Sequence, residues 1–543
     1  MQDKNITDKN ENYIFDVPLD FQPNENGLGR LFFRNMRRYE HSIAQYIVET
    51  GEEETYGTVL KRSIRTASHI QSRNLAKGDI IVICSYNQKY AVVPFIASIF
   101  LAIPVASLDP ALSLLDISHL MKEVRPKMLF IVPEVVELIE DSLQEAGVEA
   151  EIVIFGKTEK HTEFSTFLEP LEDEEDFTPR PIDTLSDTAV ILFSSGTTGL
   201  PKGIMISHRS LLIQSHILLK SNNLGAVTLS YATLYWISSI VFLVGILQSG
   251  GAKVIHAKFD PIKIWHLIEQ YRVSTLFLAP SMAISMIKAG RPDNINTTSL
   301  WCFLIGGASI QQKYLLDLRE NLPGTFVFQG YGQTEVAGIL SFFNTSKVKE
   351  TLFLHYKPKS VGLIVPGTKY RVVELETGRN CGPNQQGELR VKSNSLMNGY
   401  YNKDSSETYD EDGWLRTGDI VYYDEDMCFY IVDRIKELLK FRSFHVPPAM
   451  LEQIISAHPA VAQVVVIGVP DEEDGDHPMA LIILNEQSNG NVGENEIRDY
   501  VEERVPDRLR LRGGVKFLNS FPLTPSGKIS RKDLRNLVMK GEI

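Results

Sequence analysis

Short apolar runs alternate with amphipathic runs through the central part of the chain. "TAVILF" (Thr188–Phe193) is apolar and β-rich, which predicts a buried strand. The runs "AKVIH", "STLFLAP", "WCFLIGG" and "TFVFQGYG" have the same texture, and helical patterns such as "PIKIWHLIEQYR" lie between them. Alternation of this kind predicts βαβ units, in which helices cover mainly parallel sheets.

The pattern changes twice towards the C-terminus. After Lys357, short strands separated by Gly and Pro turns predict a β-rich subdomain over about 357–432. From Asp433 onwards, mixed helical and strand patterns predict a compact α+β unit. We therefore predict an α/β fold with a large N-terminal domain over 1–432 and a small, mobile C-terminal domain over 433–543. The segment "VDRIKELLK" between them is the candidate hinge.

Two apolar runs raise the question of a membrane span. Tyr90–Leu108 has 19 residues without a charge, but it contains Pro94 and Pro104. Leu234–Leu247 has only 14 residues, whereas a spanning helix needs about 20. We therefore expect no transmembrane segment, and a buried helix that gives way to a strand near Pro104.

The termini and the overall charge narrow the functional classes. The polar N-terminus lacks a secretory apolar core, and the C-terminus, "GEI", is not an S-K-L address. An intracellular, cytoplasmic location is the default expectation, with a peroxisomal one left open. The net charge of −13 argues against nucleic-acid binding through a general basic field. The four scattered cysteines predict free thiols rather than a zinc site.

The stretch "SSGTTGLPKG" (Ser194–Gly203) has the composition of a phosphate-holding loop. It is not the common triphosphate loop, because Pro201 and Gly203 stand where that pattern requires Gly and Ser or Thr. The loop joins "TAVILF" to a second predicted strand, "GIMISH", and Ser207 is placed to cap the following helix. We therefore expect a clamp that uses its own backbone amides, its hydroxyls and Lys202.

Three further stretches accompany this loop in order: "QGYGQTE" (Gln329–Glu335), "GWLRTGD" (Gly413–Asp419) and "PLTPSGKISRKDL" (Pro522–Leu534). Together the four resemble the adenylate-forming superfamily, and most of all its 4-coumarate–CoA ligase and beetle luciferase branch. The resemblance implies activation of a fatty or aryl carboxylic acid by ATP and transfer of the acyl group to CoA. ATP, Mg²⁺ and CoA are the implied cofactors, and the acid and CoA are the implied partners.

The resemblance also implies a set of binding positions for ATP and CoA. They are Ser194, Ser195, Gly196, Thr197, Thr198, Gly199, Lys202, Gly307, Ala308, Gln329, Gly330, Tyr331, Gly332, Asp419, Arg434, Ser443 and Phe444. Glu335 is the implied Mg²⁺ ligand, assisted by Thr198, because a carboxylate facing a triphosphate is repulsive without a cation. Asp419 is suited to accept hydrogen bonds from ribose hydroxyls.

These positions also have simpler explanations, which the sequence leaves open. The Gly-rich loop has the composition of an ordinary strand connection. Thr334 and Glu335 are also typical of a helix start without a ligand. Asp419 also suits a surface turn, and Arg434 also suits an exposed ion pair.

Three residues are the implied catalytic groups. Lys528 is expected to stabilise negative charge at the α-phosphate during adenylation, and Thr334 to contact the same phosphate. Lys440 is expected to serve thioester formation after the C-terminal domain rotates. Ser443 departs from the family pattern, since Lys-Gly-Tyr is usual where Arg442, Ser443 and Phe444 stand. Thioester formation is therefore less strongly implied than adenylation.

The expected acyl pocket includes Trp236, Gly306 and Tyr331. Trp236 is interpreted as an aromatic gate, with core packing as the alternative. The stretch "YWIS" replaces the His-His-Gly-Phe of beetle luciferases, which argues against light emission. A luciferase-like oxygenase and an adenylate-binding protein with weak thioester activity remain as alternatives. A peptide-synthetase unit is disfavoured, because only 15 residues follow Lys528.

Overall fold

The computed structural model describes residues 13–23, 26–171, 174–194, 201–442, 444–485, 492–523 and 529–543. The strands, numbered in chain order, are β1 (Phe15–Val17), β2 (Ile43–Ile47), β3 (Glu52–Thr55), β4 (Ile81–Cys84), β5 (Val105–Leu108), β6 (Met128–Ile131), β7 (Glu151–Ile154), β8 (Thr162–Glu163), β9 (Thr188–Ser194), β10 (Lys202–Ser207), β11 (Val227–Ser230), β12 (Ala252–Ile255), β13 (Thr275–Leu278), β14 (Cys302–Ile305), β15 (Phe326–Gln329), β16 (Tyr331–Gln333), β17 (Gly338–Phe342), β18 (Leu363–Ile364), β19 (Thr368–Val373), β20 (Gly387–Ser393), β21 (Leu415–Tyr423), β22 (Phe429–Arg434), β23 (Leu439–Phe441), β24 (Phe444–Val446), β25 (Val461–Asp471), β26 (Gly475–Leu484) and β27 (Gly514–Phe517).

Helices fill the connections between most of these strands. They are α1 (Gly27–Arg38), α2 (Tyr56–Gln71), α3 (Val92–Phe100), α4 (Leu114–Val124), α5 (Val136–Ala146), α6 (His208–Lys220), α7 (Ile237–Ser249), α8 (Lys263–Gln270), α9 (Pro280–Ala289), α10 (Gln312–Asn321), α11 (Val348–Tyr356), α12 (Pro448–Ser456), α13 (Glu494–Glu502) and α14 (Arg531–Met539).

The chain divides into two compact units. The larger contains Phe15–Tyr370 and Val391–Leu415. The smaller contains Arg371–Arg390 and Arg416–Ile543, together with the described end of the N-terminal segment. The boundary at 432/433 stays a prediction.

Two seven-stranded sheets form the framework of the larger unit. One has the order β10-β9-β5-β4-β6-β7-β8, and the other β15-β14-β13-β11-β12-β2-β3. Their central strands pair in parallel, whereas β10 and β3 are antiparallel edge strands. The prediction of mainly parallel sheets is confirmed. The alternation of strands and helices produces this arrangement because a parallel strand needs a crossover connection.

Helices lie against both sheets of the larger unit. Helices α1, α2, α3, α6 and α7 pack against one another, and α3 touches β4 and β5 while α2 touches β2 and β3. This inner layer therefore contacts both sheets. Helices α4 and α5 share a buried apolar cluster with the first sheet. Helices α8, α9 and α10 share another with the second sheet.

The apolar run Tyr90–Leu108 forms α3 and then β5, as its prolines predicted. Both elements are almost entirely buried. Across the described residues, no helix combines the length and apolar character needed to cross a membrane. All four cysteines are free and buried, which agrees with the predicted free thiols.

The smaller unit contains a sheet of order β24-β23-β26-β25, with β27 parallel to β26. Helices α12 and α13 share its main apolar cluster, and α14 lies with a second cluster around Val465 and Leu481. Elsewhere in the chain, five strands form a sheet of order β1-β19-β20-β21-β22. The predicted α+β texture and the predicted short strands after Lys357 are confirmed.

Candidate active site

The phosphate-loop candidate lies at the end of an antiparallel hairpin. Strands β9 and β10 pair with Lys202 opposite Ser194, so the intervening loop connects two strands as predicted. Positions 195–200 lie outside the described residues, so the expectations for Ser195, Gly196, Thr197, Thr198 and Gly199 are not tested by the geometry. Ser207 caps α6 by accepting a hydrogen bond from Ser210 N at 3.1 Å.

A segment far along the chain lies beside β10. Met205 N donates to Gly399 O at 3.0 Å, and Tyr401 N donates to Gly203 O at 2.8 Å. This pairing places the Tyr400 ring 4.9 Å from Lys202 Nζ, a cation–π distance. The lysine of the candidate loop is therefore held beside an aromatic ring while its side chain stays exposed.

Glu335 lies in a short 3₁₀ helix, Thr334–Val336, between β16 and β17. Its negative charge acts on two tyrosines further along the chain. Burial, then the negative charge of Glu335, raises the pKa of Tyr400 to about 12. Burial and the same carboxylate also raise the pKa of Tyr409. Tyr400 therefore lies within electrostatic reach of Glu335 and also contacts the lysine of the loop.

A carboxylate oxygen is a ligand that Mg²⁺ accepts, usually together with phosphate oxygens and water. Glu335 is partly exposed, so the carboxylate is accessible to a ligand. Glu335 therefore fits the chemistry of a Mg²⁺ ligand for a bound nucleotide. Thr334, next to it, is also partly exposed.

The hairpin that carries Glu335 leaves no space for a side chain at Gly332. A Cβ at Gly332 would lie 1.9 Å from the backbone oxygen of Gly338. At Gly330, just before the hairpin, the approach is looser, since a Cβ would lie 3.1 Å from Leu304 Cδ1, the end of a flexible side chain. Gly332 is therefore required by the close approach of neighbouring chain segments, and this requirement is independent of any ligand.

Gln214 on α6 holds this hairpin from behind. Its Nε2 lies 3.1 Å from Val336 O and 3.0 Å from Ile339 O, while its Oε1 accepts from Ile339 N at 2.9 Å. The residue is 1% exposed. Because a buried amide must satisfy both its donors and its acceptor, Gln214 fixes the position of the segment on either side of the hairpin turn.

The strand ends β14 and β15 place the predicted nucleotide and acyl positions at one edge of the second sheet. Gln329 is buried, and its Oε1 accepts from Ile310 N at 3.2 Å. That bond holds the loop containing Gly307 and Ala308, both of which are exposed. Gln329 therefore has a structural role in addition to any contact with a ligand.

Two phenylalanines lie behind this edge. A Cβ at Gly306 would lie 3.0 Å from Phe277 Cε2, and the Phe277 ring lies 5.3 Å from that of Phe242 on α7. Tyr331, on β16, is partly buried. Gly306 thus adjoins an aromatic, apolar wall, as the predicted acyl pocket requires.

Trp236 immediately precedes α7 as its N-cap residue rather than lying within the helix. It is partly buried and packs against the apolar cluster of the first sheet. Its ring lies edge-on to Tyr235 at 5.0 Å. The geometry agrees with the core-packing alternative, and the gate interpretation stays a prediction.

In the smaller unit, Asp419 and Arg434 face each other across β21 and β22. Arg434 Nε lies 3.1 Å from Asp419 Oδ1. Asp419 is buried, whereas the side chain of Arg434 is 48% exposed. The two predicted ribose-binding residues therefore form one ion pair, in which the arginine is open to solvent.

The hinge candidate Asp433 is buried between backbone amides. Its Oδ1 accepts from Arg434 N at 2.8 Å, and its Oδ2 accepts from Ala449 N at 3.0 Å. Burial raises its pKa to about 6, which these two bonds and the positive charge of Arg531 oppose. The carboxylate thus connects the end of β22 to the start of α12.

Lys440 lies on β23 with an exposed side chain, and its backbone N donates to Asp476 Oδ2 at 3.0 Å. Phe444 begins the paired strand β24. Ser443 and Lys528 lie outside the described residues, so the expectations for both remain predictions.

Sequence reasoning overlooked three residues of this region: Gln214, Tyr400 and Tyr409. Tyr400 stands in "NGYY", which we interpreted only as part of a strand region. An Asn-Gly turn followed by two tyrosines is a local signal. Nothing in that signal identifies Glu335, 65 positions earlier (400 − 335), as a partner.

Two family models match the chain. The AMP-binding enzyme model covers residues 32–401, and the AMP-binding enzyme C-terminal domain model covers residues 450–528. The chain is 31% identical to a luciferin 4-monooxygenase of Nipponoluciola cruciata, over 98% of both chains. It is 32% identical to 4-coumarate–CoA ligase 3 of Arabidopsis thaliana, over 94% of this chain and 91% of the ligase.

Solved structures agree with the fold. A luciferase-like enzyme from the nonluminescent mealworm Zophobas morio is 36% identical, with a TM-score of 0.75, over 78% of this chain and 99% of that one. ATP-bound MatB from Rhodopseudomonas palustris is 23% identical and shares the fold, with a TM-score of 0.82 over 94% and 98% of the two chains. The chain therefore belongs to the AMP-binding enzyme family, within the adenylate-forming superfamily.

Proposed function

We propose that this protein activates a fatty or aryl carboxylic acid with ATP and transfers the acyl group to CoA. The observation that supports this most is the arrangement of Glu335, Tyr400 and Lys202. Tyr400 contacts the lysine of a Gly-rich loop and lies within electrostatic reach of a carboxylate suited to Mg²⁺. A site that must hold a triphosphate needs both kinds of group.

The reaction has two balanced steps. A carboxylate oxygen attacks the α-phosphorus of ATP, the bond to the β-phosphate breaks, and acyl-AMP and pyrophosphate form. The CoA thiol then loses its proton and attacks the acyl carbon, so that AMP leaves and acyl-CoA remains. Activation is needed because a free carboxylate would have to expel oxide, a very poor leaving group, whereas AMP leaves readily.

We assign the first step to five residues. Lys202 pairs with the β- or γ-phosphate, and Thr334 contacts the α-phosphate. Mg²⁺ held by Glu335 would neutralise charge on the phosphate oxygens. Asp419 binds the ribose hydroxyls, and Lys528 stabilises the charge that develops at the α-phosphate.

We assign the acyl group to the apolar edge around Gly306. Phe242 and Phe277 form an aromatic wall there, which suits an aliphatic or aryl acid rather than a polar one. Tyr331 forms part of the wall of the same pocket or stacks near the adenine. Trp236 lies at the entrance of the pocket as its aromatic gate. An acid without an α-amino group fits this surrounding best.

The second step needs a different face of the C-terminal domain. We propose domains over 1–432, including a β-rich part over about 357–432, and over 433–543. Rotation about Asp433 would replace Lys528 by Lys440 at the acyl-AMP. Ser443 and Phe444 would then border the route of the CoA thiol, and Ser443 limits this step more than the glycine usual in the family would.

The deciding assay measures AMP release with ATP, Mg²⁺ and a panel of fatty, cinnamic and luciferin-type acids, each with and without CoA. Release that requires both an acid and CoA is the expected result, and the panel identifies the class of acid. Acid-dependent pyrophosphate exchange without CoA-dependent turnover would limit the proposal to adenylation. No acid-dependent exchange with any acid would contradict it.

Two lysine variants separate the steps. We expect Lys528→Ala to reduce adenylation by at least about a hundredfold, because it removes a charge that acts in the transition state. Lys440→Ala should spare pyrophosphate exchange and slow acyl-CoA formation. Lys516→Ala, an exposed strand lysine of the same unit, is the matched control. Equal loss of adenylation in both active-site variants would exclude the two-face model.

A luciferase-like monooxygenase is the second candidate. It is supported by the 36% identity to the luciferase-like enzyme of a nonluminescent mealworm and the 31% identity to a luciferin 4-monooxygenase. Light output with ATP, Mg²⁺, oxygen and beetle luciferin tests it. Emission above that of the Lys528→Ala variant would favour this candidate over the ligase.

A further inference from the structure

Helix α11 exposes an apolar stripe along its whole length. Val348, Leu352 and Tyr356 are 77%, 50% and 80% exposed. They lie four residues apart, so they line one face of the helix. The helix is anchored by its other side, where Leu354 and Glu350 are buried. Large apolar side chains exposed in a row are unusual on a surface that meets only water.

Basic side chains flank this stripe. The segment 346–360, "SKVKETLFLHYKPKS", contains four lysines and one glutamate, so its formal charge is 4 − 1 = +3 within a chain of net charge −13. The glutamate, Glu350, is buried and lies 3.0 Å from Lys347 Nζ. Lys349 and Lys357 lie over the Phe353 ring at 5.1 and 4.8 Å. The sign of the local charge is therefore opposite to that of the molecule.

A partly exposed tryptophan lies beside the start of the helix. Trp301 is 41% exposed, and its Nε1 donates to Asn222 O at 3.1 Å. Thr345 Oγ1 donates to the same carbonyl at 3.2 Å, three residues before α11 begins. The Trp301 N–H therefore lies close to the segment that leads into α11. Tryptophan, with an apolar ring and one polar N–H, is typical of membrane–water interfaces.

We infer that the α11 face, defined as Trp301, Val348, Leu352 and Tyr356 with the lysines 347, 349, 357 and 359, docks reversibly on an anionic lipid surface. An apolar stripe flanked by lysines is the pattern of a helix that lies in the membrane interface. The lysines would contact lipid headgroups, while the apolar side chains enter the boundary of the acyl region. The face consists of exposed side chains along one helix rather than a groove, which suits lipid better than a folded partner.

The inference does not depend on the proposed function, because none of these residues has a role in the candidate active site. It predicts weak, salt-sensitive attachment, since one nine-residue helix and the few residues beside it supply both the charge and the apolar area. The attachment is peripheral, since the surface lies along one side of a short helix.

The test measures co-sedimentation of the full-length protein with vesicles of phosphatidylcholine, with and without added phosphatidylserine. We expect binding to anionic vesicles to exceed binding to neutral ones by about tenfold and to be lost at high salt. Leu352→Glu should reduce binding by at least about tenfold. Leu115→Glu, a matched change at a 67% exposed leucine of α4, should bind like the wild type.

Tryptophan emission provides an independent measurement. Of the other three tryptophans, Trp265 and Trp414 are buried and Trp236 is partly buried. Vesicle binding should therefore shift emission to the blue in the wild type but not in Trp301→Phe. Circular dichroism and thermal unfolding establish that each variant is folded.

Three results would overturn the inference. The first is equal binding of the wild type and a folded Leu352→Glu variant. The second is no preference for phosphatidylserine. The third is absence of vesicle binding combined with a Leu352→Glu change in oligomeric state by light scattering, which would identify the face as an interface between copies of the chain.

Discussion

Among single residues, Lys253 is the clearest case of a charged side chain whose burial lowers the stability of the folded state. It lies on β12 and lines a small cavity of about 40 Å³ with mostly apolar walls, contributed by α1, α2, α3 and α7 among others. Its Nζ donates to Asn87 Oδ1 at 3.2 Å, and it pairs with no carboxylate among the residues that the structure describes. Burial lowers its pKa to about 8.

We predict that Lys253→Met raises the free energy of unfolding at pH 7. The folded-state pKa of about 8 lies below the usual lysine value of 10.5, which corresponds to roughly 3 kcal/mol against the charged form. In the variant, the Asn87 side-chain oxygen loses its hydrogen-bond donor, which costs about 1–3 kcal/mol and offsets part of the gain. We therefore expect a net gain of about 1 kcal/mol.

The pH dependence gives the sharper measurement. Because the folded-state pKa of Lys253 is lowered, the full free-energy cost of burying its charge applies below about pH 8. The free energy of unfolding of the wild type then rises as the pH increases towards 10.5. Urea unfolding at pH 7 and pH 10 should show the variant losing its advantage at pH 10. Lys258→Met, at an exposed lysine, is the control. An equal advantage at both pH values would contradict the assigned burial of the charge.

At the scale of elements, the β16–β17 hairpin owes its position to a helix distant in sequence. Gln214 bonds to the backbone at Val336 and Ile339 on the two sides of the turn. A Cβ at Gly338 would lie 3.1 Å from Val241 of α7, so the turn is also tightly packed. The orientation of Glu335 therefore depends on α6 and α7 as well as on its own motif.

We predict that Gln214→Leu weakens Mg²⁺-dependent pyrophosphate exchange by more than the loss of folded protein would explain. The change leaves Ile339 N and two carbonyl groups without their buried partner, at a cost of about 1–3 kcal/mol for each unsatisfied group. The hairpin should shift, and the Mg²⁺ concentration that gives half-maximal pyrophosphate exchange should rise several-fold.

Gln248→Leu is the matched control, because Gln248 lies on α7 and, among the described residues, its side chain donates only to Ser215 Oγ, at 3.0 Å. It should leave the Mg²⁺ dependence unchanged. If Gln214→Leu lowers the melting temperature but keeps the wild-type Mg²⁺ dependence, Gln214 stabilises the fold without positioning Glu335.

Some elements were predictable from the hydrophobic pattern of the sequence, and others were not. The central strands and α6 were predicted well, because each is a strongly apolar or well-capped segment. Helix α11 was not predicted, because it has only nine residues and its apolar side chains face solvent. Hydrophobic periodicity identifies a helix because the apolar side chains usually form its buried face. In α11 the side chains spaced four residues apart are exposed, so burial does not explain their spacing.

At the scale of the whole molecule, the chain has two units with separate apolar cores. In the smaller unit, Arg531 at the start of α14 joins several elements. It contacts Glu452 at 2.8 Å and Glu437 at 3.3 Å, and it donates to Val466 O at 2.9 Å. Its positive charge also acts on Asp433.

We predict that Arg531→Met destabilises the smaller unit selectively. Removing the arginine leaves Glu437, Glu452 and Asp433 without their shared cation, and breaking a largely buried pair costs about 3 kcal/mol. Differential scanning calorimetry should show an earlier transition for the smaller unit and an unchanged one for the larger unit. Arg535→Met, whose side chain is 49% exposed, should shift neither transition by more than about 1 °C. A single transition that moves as a whole would show that the units unfold together.

The sequence by itself determined the fold class, the order of the elements and the residue types of the candidate nucleotide site. These properties are local: a strand, a helix cap or a Gly-rich loop is written in consecutive residues. The tertiary structure alone decided which groups meet. Glu335 lies near Tyr400, and Asp419 forms an ion pair with Arg434. Gln214 holds a distant hairpin by hydrogen bonds. Lys253 pairs with no carboxylate among the described residues. Such pairings arise from long-range packing, which joins segments whose local patterns carry no information about each other.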